Sequence, residues 1–389
     1  MQRNRIPNKD NNWKHMDTFF WHRSLSRLLI AFIFCGASAM SGAQDRLSLA
    51  PVNSYRAEQT LLLDVARSQD RLVVVGDQGT LLLSQDMGHS WQQIALPFSS
   101  MLTAVTFTEN QTGWLVGHDG LLARSLDAGE SWQQVMDGDR INLMRLDAVQ
   151  RRYSALEQSS AAAPDDEELL DQLDSLSYQL DDAQVAIEEG PTTPMLDVWF
   201  LDNRRGFALG GYGILLRTTD GGDTWHYWGD RLPNPDSFHL NSIVSDSHGS
   251  LYIAGEAGFL VRSDDAGEHW YALETPYDGS FFAITAYQNR LYLMGLRGHL
   301  LVSDNGTDWR SLETGYHATL NGFAQTDAQL LLVGHGGQLL MSQDGERFKA
   351  VSSGGRRSFS TGIGTAEGWL LVGEGGLLRV SSEQGDHNG

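Results

Sequence analysis

The chain has 389 residues, 41% of them hydrophobic and 10% aromatic, and a formal charge of -21 at pH 7. That is ample apolar material for a packed core, which excludes a disordered chain. So acidic a surface repels phosphate backbones and anionic lipid, which argues against nucleic acid and bare membrane as partners.

Residues 1–43 differ in character from the rest of the chain. They carry six Lys and Arg against two acids, and the basic stretch "WHRSLSR" leads into an apolar run from Leu28 to Met40. That run falls short of the roughly 20 residues a bilayer span requires. Small residues at Ser41 and Ala43 complete an export signal, and cleavage after Ala43 places the mature protein in the periplasm. Phe34, ahead of the single cysteine Cys35, is too large for lipoprotein processing. No lipid anchor is therefore expected, and any membrane association is peripheral. Without the signal the chain keeps 22 Lys and Arg against 47 Asp and Glu and has no thiol. Disulfides, sulfur-ligated metals and cofactors are not expected, and stability rests on packing.

Beyond the signal, residues 44–389 repeat. A Gly-x-x-Gly doublet follows an apolar run at Gly76, Gly117, Gly210, Gly255, Gly295, Gly334 and Gly373. Successive doublets are 39 to 45 residues apart, except for one gap of 93 between the second and third. Short apolar runs such as "RLVVVG" and "TLLLS", bounded by Gly, Asp and Asn, predict antiparallel strands joined by tight hairpins. Roughly 40 residues with four short strands is one propeller blade, and a blade must stack on neighbours to bury its faces. The predicted fold class is all-β, a seven-bladed β-propeller. After "GWLLVGEGGLLRVSSE" the seventh unit has no room for a fourth strand. Residues Arg46 to Arg56 precede the first strand and are expected to supply it, since an open edge invites aggregation.

In the first four units the third run ends in an octet: "SQDMGHSW" at Ser84, "SLDAGESW" at Ser125, "TTDGGDTW" at Thr218 and "SDDAGEHW" at Ser263. This is the pattern of the Asp-box, or BNR, repeat. Shorter versions stand in units five and six ("SDNGTDW", "SQDGERF"), and unit seven has none. An Asp carboxylate can accept hydrogen bonds from its own turn, glycine tolerates the reversal, and the aromatic fills the apolar layer. Asp86, Trp91, Asp127, Trp132, Asp220, Trp225, Asp265 and Trp270 are accordingly read as structural, with no catalytic or metal role.

The gap between the second and third doublets holds an insertion, residues 138–190. Asp139 to Gln158 and Asp165 to Glu189 predict a helical hairpin, with Leu169, Leu173, Leu176 and Leu180 at helical spacing. The second helix carries ten acids and no Lys or Arg, whereas the first carries Arg140, Arg145, Arg151 and Arg152. Two amphipathic helices packed together, or a partner-binding arm, both fit.

Candidate chemistry is sparse. The residues after the first glycines include Asp77, His118, His335 and Glu374, from blades one, two, six and seven, which form a candidate polar arc on one rim. Adjacent blades are too far apart there for one metal ion to use all four. At the position before each octet, and at its equivalent in unit seven, the residue is Arg in four of the seven units: Arg124, Arg217, Arg262 and Arg379. These are strand-edge arginines paired with neighbouring acids, or anchors for a partner's carboxylate, which guanidinium grips bidentately. Asp-box propellers include sialidases. The one Arg-Ile-Pro here, at Arg5 to Pro7, precedes the signal, and no glycosidase carboxylate pair can be nominated.

Units such as "GFALGGYGILLRTTDGGDTW" at Gly206 to Trp225 resemble the Ycf48/HCF136 family of photosystem II assembly factors over roughly residues 55–382. The resemblance implies an exported, non-enzymatic scaffold that holds a membrane-protein subunit during complex assembly; a monomer is expected. It also places Arg124, Arg217 and Arg262 where that family's repeats carry Arg in "LLRT". A secreted glycan-binding or glycoside-hydrolysing propeller is the alternative.

Overall fold

The computed structural model describes residues 45–381, so the predicted signal at 1–43 lies outside them. Among the described residues the strands form six four-stranded antiparallel sheets and one three-stranded sheet, each wound in simple meander order. The innermost strands are Leu62–Ser68, Leu102–Phe107, Met195–Phe200, Leu240–Ser245, Phe281–Tyr287, Leu320–Gln325 and Phe359–Thr365. Each lies beside the next, and the last lies beside the first, so the seven sheets close a ring around a channel.

Every sheet is sandwiched between two others, which is why the second strands are continuous apolar runs rather than alternating ones. Arg71–Gly76, Gly206–Gly210 and Leu251–Gly255 are buried along nearly their whole length. The core is correspondingly divided into seven clusters, each joining the facing surfaces of two adjacent blades. The aromatic of each octet enters the seam with the preceding blade: Trp132 joins blades one and two, Trp225 two and three, Trp270 three and four.

The two glycines of each doublet serve different ends. At Gly76 a Cβ would stand 2.2 Å from the Leu61 carbonyl oxygen, so the first glycine lets the second strand approach the start of the innermost one. At Gly79 the backbone has φ +68°, which glycine adopts without steric cost. The amide of the intervening residue then donates to a carbonyl just before the innermost strand, as Asp77 to Leu61, His118 to Met101, His335 to Thr319 and Glu374 to Ser358.

Closure departs from the expectation for Arg46 to Arg56. That segment forms no strand, and the seventh sheet has three strands, Phe359–Thr365, Gly368–Gly373 and Gly376–Ser381. The segment instead straps blade one to blade two. The Arg46 carbonyl accepts from Ser99 N–H at 2.7 Å, the Arg46 guanidinium holds Asp119 at 2.6 Å, and Ser54 N–H donates to Gln93 at 2.8 Å. The ring closes through apolar packing, with Leu62, Leu72 and Val74 of blade one against Leu370 and Val372 of blade seven. The Ser360 hydroxyl also donates to the Leu62 carbonyl across that seam.

The insertion is a helical hairpin, α1 (Gly138–Ala162) and α2 (Glu167–Glu189). Asp137 and Asp166 cap their first turns, accepting from the amides of Arg140 and Leu169. Buried Asn142 fastens the base, donating to the carbonyls of Ala186 and Gly190. Ile141 plugs α1 into the seam between blades two and three. Neither helix is long and apolar enough to cross a membrane.

Candidate functional site

The third strand of each blade runs from its glycine turn to its octet, so glycine turns and octets occupy opposite rims. On the octet rim four hairpins repeat one network. In blade one the Ser84 hydroxyl donates to Asp86 Oδ1 at 2.8 Å and accepts from Gly88 N–H at 2.6 Å. Ser90 supplies its amide to Asp86 Oδ1 and its hydroxyl to Oδ2. Asp127, Asp220 and Asp265 are held alike. These hydrogen bonds hold the carboxyls of Asp86, Asp127 and Asp220 below the usual range and that of Asp265 at about 2. In blade five Asn305 plays the same part, and in blade six Asp344 does. Oxygens so fully engaged by their own turn are brackets for the hairpin.

The arginine preceding each octet lies over a ring of its own blade: Arg124 over Trp114, Arg217 over Phe207 and Trp228, and Arg262 over Tyr252. Its guanidinium then reaches the octet of the next blade. Arg124 pairs with Asp223 at 3.0 Å and Arg217 with Glu268 at 2.8 Å, while Arg262 donates to the Asn305 carbonyl and Arg379 to that of Met87. Arg262 and Arg379 are also paired within their blades, to Asp264 and Glu367. The ring of arginines is thus a set of interblade staples. Blades one and five have Leu83 and Val302 at this position, and there Arg71 and Arg290, at the start of the second strand, pair with Glu130 and Glu346 of the next blade. Blade six has Met341, and the blade after it has no octet to hold. Alignment by position could not find Arg71 or Arg290, because the same contact is made from a different strand.

On the other rim the polar arc does not converge. Among the described residues no three His, Cys, Asp or Glu side chains come together to hold a metal ion. Glu374 accepts from Ser358 N–H at 3.0 Å, which with the nearby His335 keeps its carboxyl below the usual range. Asp77 caps its own turn through Gln78 N–H.

The channel has a volume of about 720 Å³ and is lined by all seven innermost strands. It contains two carboxyls that the repeat pattern did not mark, Asp64 in blade one and Asp197 in blade three. Their one sequence signal is a shared Leu-Asp-Val at 63–65 and 196–198. Each follows a bulge in its strand and brackets the next blade. Asp64 accepts from the amides of Val65 and Val105, and Asp197 from those of Val198 and Ile243. Burial pushes their carboxyls up, to about 7 for Asp64 and about 6 for Asp197, and the charge of Asp197 adds to the shift of Asp64.

Fold and hairpins together define an Asp-box β-propeller, in which the octet carboxylates bracket their own hairpins and the arginines before them reach the next blade. Residues 87–153 and 177–385 match the family described as photosynthesis system II assembly factor YCF48, and the chain belongs to that family. The family match omits much of the helical hairpin. A photosystem II assembly lipoprotein Ycf48 from Synechococcus sp. (strain CC9902) is 37% identical over 23% of this chain and 28% of its own length. The matched segment thus spans little more than a quarter of that relative. Solved structures titled "YCF48 bound to D1 peptide" (17% identity, TM-score 0.58, 85% of this chain and 95% of that one) and YCF48 from Cyanidioschyzon merolae (14%, TM-score 0.59, 82% and 95%) share the fold.

Proposed function

We propose that this chain is an exported, non-enzymatic scaffold that binds a membrane-protein subunit while its complex assembles. The family match over most of the propeller supports this reading. The mature protein is a periplasmic monomer, released from its signal after Ala43, and the client is a subunit of the photosystem II class. The octet rim is the proposed contact surface. The side chains of Arg124 and Arg379 are 25% and 35% exposed, so each can take a client carboxylate on its free face, whereas Arg262, 16% exposed, already engages all three guanidinium nitrogens with Asp264, Asn305 and Ser250. Arg217, 8% exposed and enclosed by Glu268 and Trp228, contributes rigidity rather than contact.

Mild cross-linking in intact membranes followed by pull-down tests the reading. A membrane subunit is expected in the eluate, with less of it for the double variant Arg124→Ala and Arg379→Ala. Recovery of no membrane protein, together with turnover of a sialoside or glucan, would overturn the scaffold. Undiminished recovery with the double variant would reject the arginine surface alone.

A further inference from the structure

Two arginines of the described chain are buried, and they differ in one respect. Among the described residues Arg217 has Glu268 at 2.8 Å, whereas Arg145 on α1 has no carboxylate within ion-pairing distance. Arg145 is 7% exposed, and its partner is the hydroxyl of Tyr227 in the outermost strand of blade three, His226–Tyr227. A buried guanidinium without a counter-charge is costly, and in a chain this rich in acids a partner was within evolutionary reach.

The surroundings say what the missing partner is. Arg145, Val149 and Arg152 recur at i, i+4 and i+7, so they share one face of α1. That face closes a cleft of about 270 Å³ against α2 and blade three. Arg152 likewise has no ion pair among the described residues. One acid, Asp230, lines the cleft, farther than ion-pairing distance from either guanidinium. Two positive charges against one negative leave a single positive charge, which matches a carboxylate rather than a phosphate dianion. The planar guanidinium fork suits the same group. Leu176 and Leu232 add apolar wall beside the polar end. The volume lies at the small end for ligand sites, enough for one amino-acid-sized body.

We propose that the cleft between the helical hairpin and blade three binds a carboxylate carried on a small apolar body, as a free acid or as the C-terminal residue of a peptide. The pocket exists only because the insertion is present, and the proposal holds whether or not the propeller carries a membrane client.

Titration calorimetry on the purified protein at low salt tests it. N-acetyl-leucine is expected to bind saturably, and its uncharged analogue N-acetyl-leucinamide not to bind. Arg145→Gln and Arg152→Gln are each expected to weaken binding by at least about ten-fold, the order of one charge-assisted hydrogen bond. Arg152 is exposed, so its variant keeps the test valid should Arg145→Gln fail to fold. A peptide ending in free leucine that binds more tightly than N-acetyl-leucine supports the site and assigns it to a chain terminus; the reverse order supports it and assigns it to a free acid. The proposal is overturned by equal binding of acid and amide, by no binding of the acid at tens of millimolar, by tighter binding of inorganic phosphate, or by unchanged binding in Arg152→Gln.

Discussion

Thr218 has no exposed surface, and its hydroxyl both accepts from Gly222 N–H at 2.9 Å and donates to Asp220 at 2.8 Å. Thr218→Val keeps the shape of the side chain and removes both bonds, leaving a buried amide without its acceptor. The expected loss is about 1–3 kcal/mol, read as a lower urea midpoint at unchanged slope. A neutral result would mean that the octet is held by its aromatic alone. The residue scale is also where the sequence was most and least legible. Asp86, Asp127, Asp220 and Asp265 were readable as brackets because a strict octet repeats their chemistry. Arg124, Arg217, Arg262 and Arg379 were readable as a ring, but their partners were not. Arg124 reaches Asp223 across 99 residues of chain, Arg217 reaches Ala266 across 49 and Arg379 reaches Met87 across 292, and only the closed structure joins them. Asp64 and Asp197 escaped notice because their function is to bridge blades, which periodicity within a blade cannot express.

At the scale of elements, the insertion was legible as two helices because leucine spacing and capping residues are local signals. Its docking was not, since Ile141 looks like any other apolar helical residue until α1 is placed in the seam between blades two and three. That position divides the hairpin into a structural base and an arm. Ile141 is fully buried among Trp114, Met136 and Trp225. Ile141→Ala is expected to cost about 2–5 kcal/mol, because a closely packed seam relaxes little around a cavity. Trimming residues 154–176, the part the family match leaves out, and rejoining the helices with a short glycine linker should leave the thermal midpoint close to that of the parent. Equal losses from both changes would show that the arm, too, supports the ring.

For the molecule as a whole, ring closure was the feature read wrongly, and the reason is physical. An open edge can be managed by packing as well as by pairing. Leu370 and Val372 against Leu62 and Leu72 seal the last seam, so Arg46 to Arg56 are free to strap blades one and two instead. The same seams make stability depend on pH with two opposing signs. The octet carboxyls lie below their unfolded value, so the stability they contribute is complete above about pH 4 and lost as pH falls through their folded values. The channel carboxyls act the other way. Asp64, at about 7, and Asp197, at about 6, bind a proton more tightly folded than unfolded, so their contribution is greatest below about pH 4 and is lost as pH rises to about 7. Denaturant midpoints should therefore fall between pH 5 and pH 8. Asp64→Asn lowers stability at every pH, since an amide cannot accept from both Val65 and Val105, yet the fall from pH 5 to pH 8 should shrink relative to the parent. Parallel curves for parent and variant would show that the channel carboxyl is already ionised at pH 5 and that the interblade bracket carries no proton.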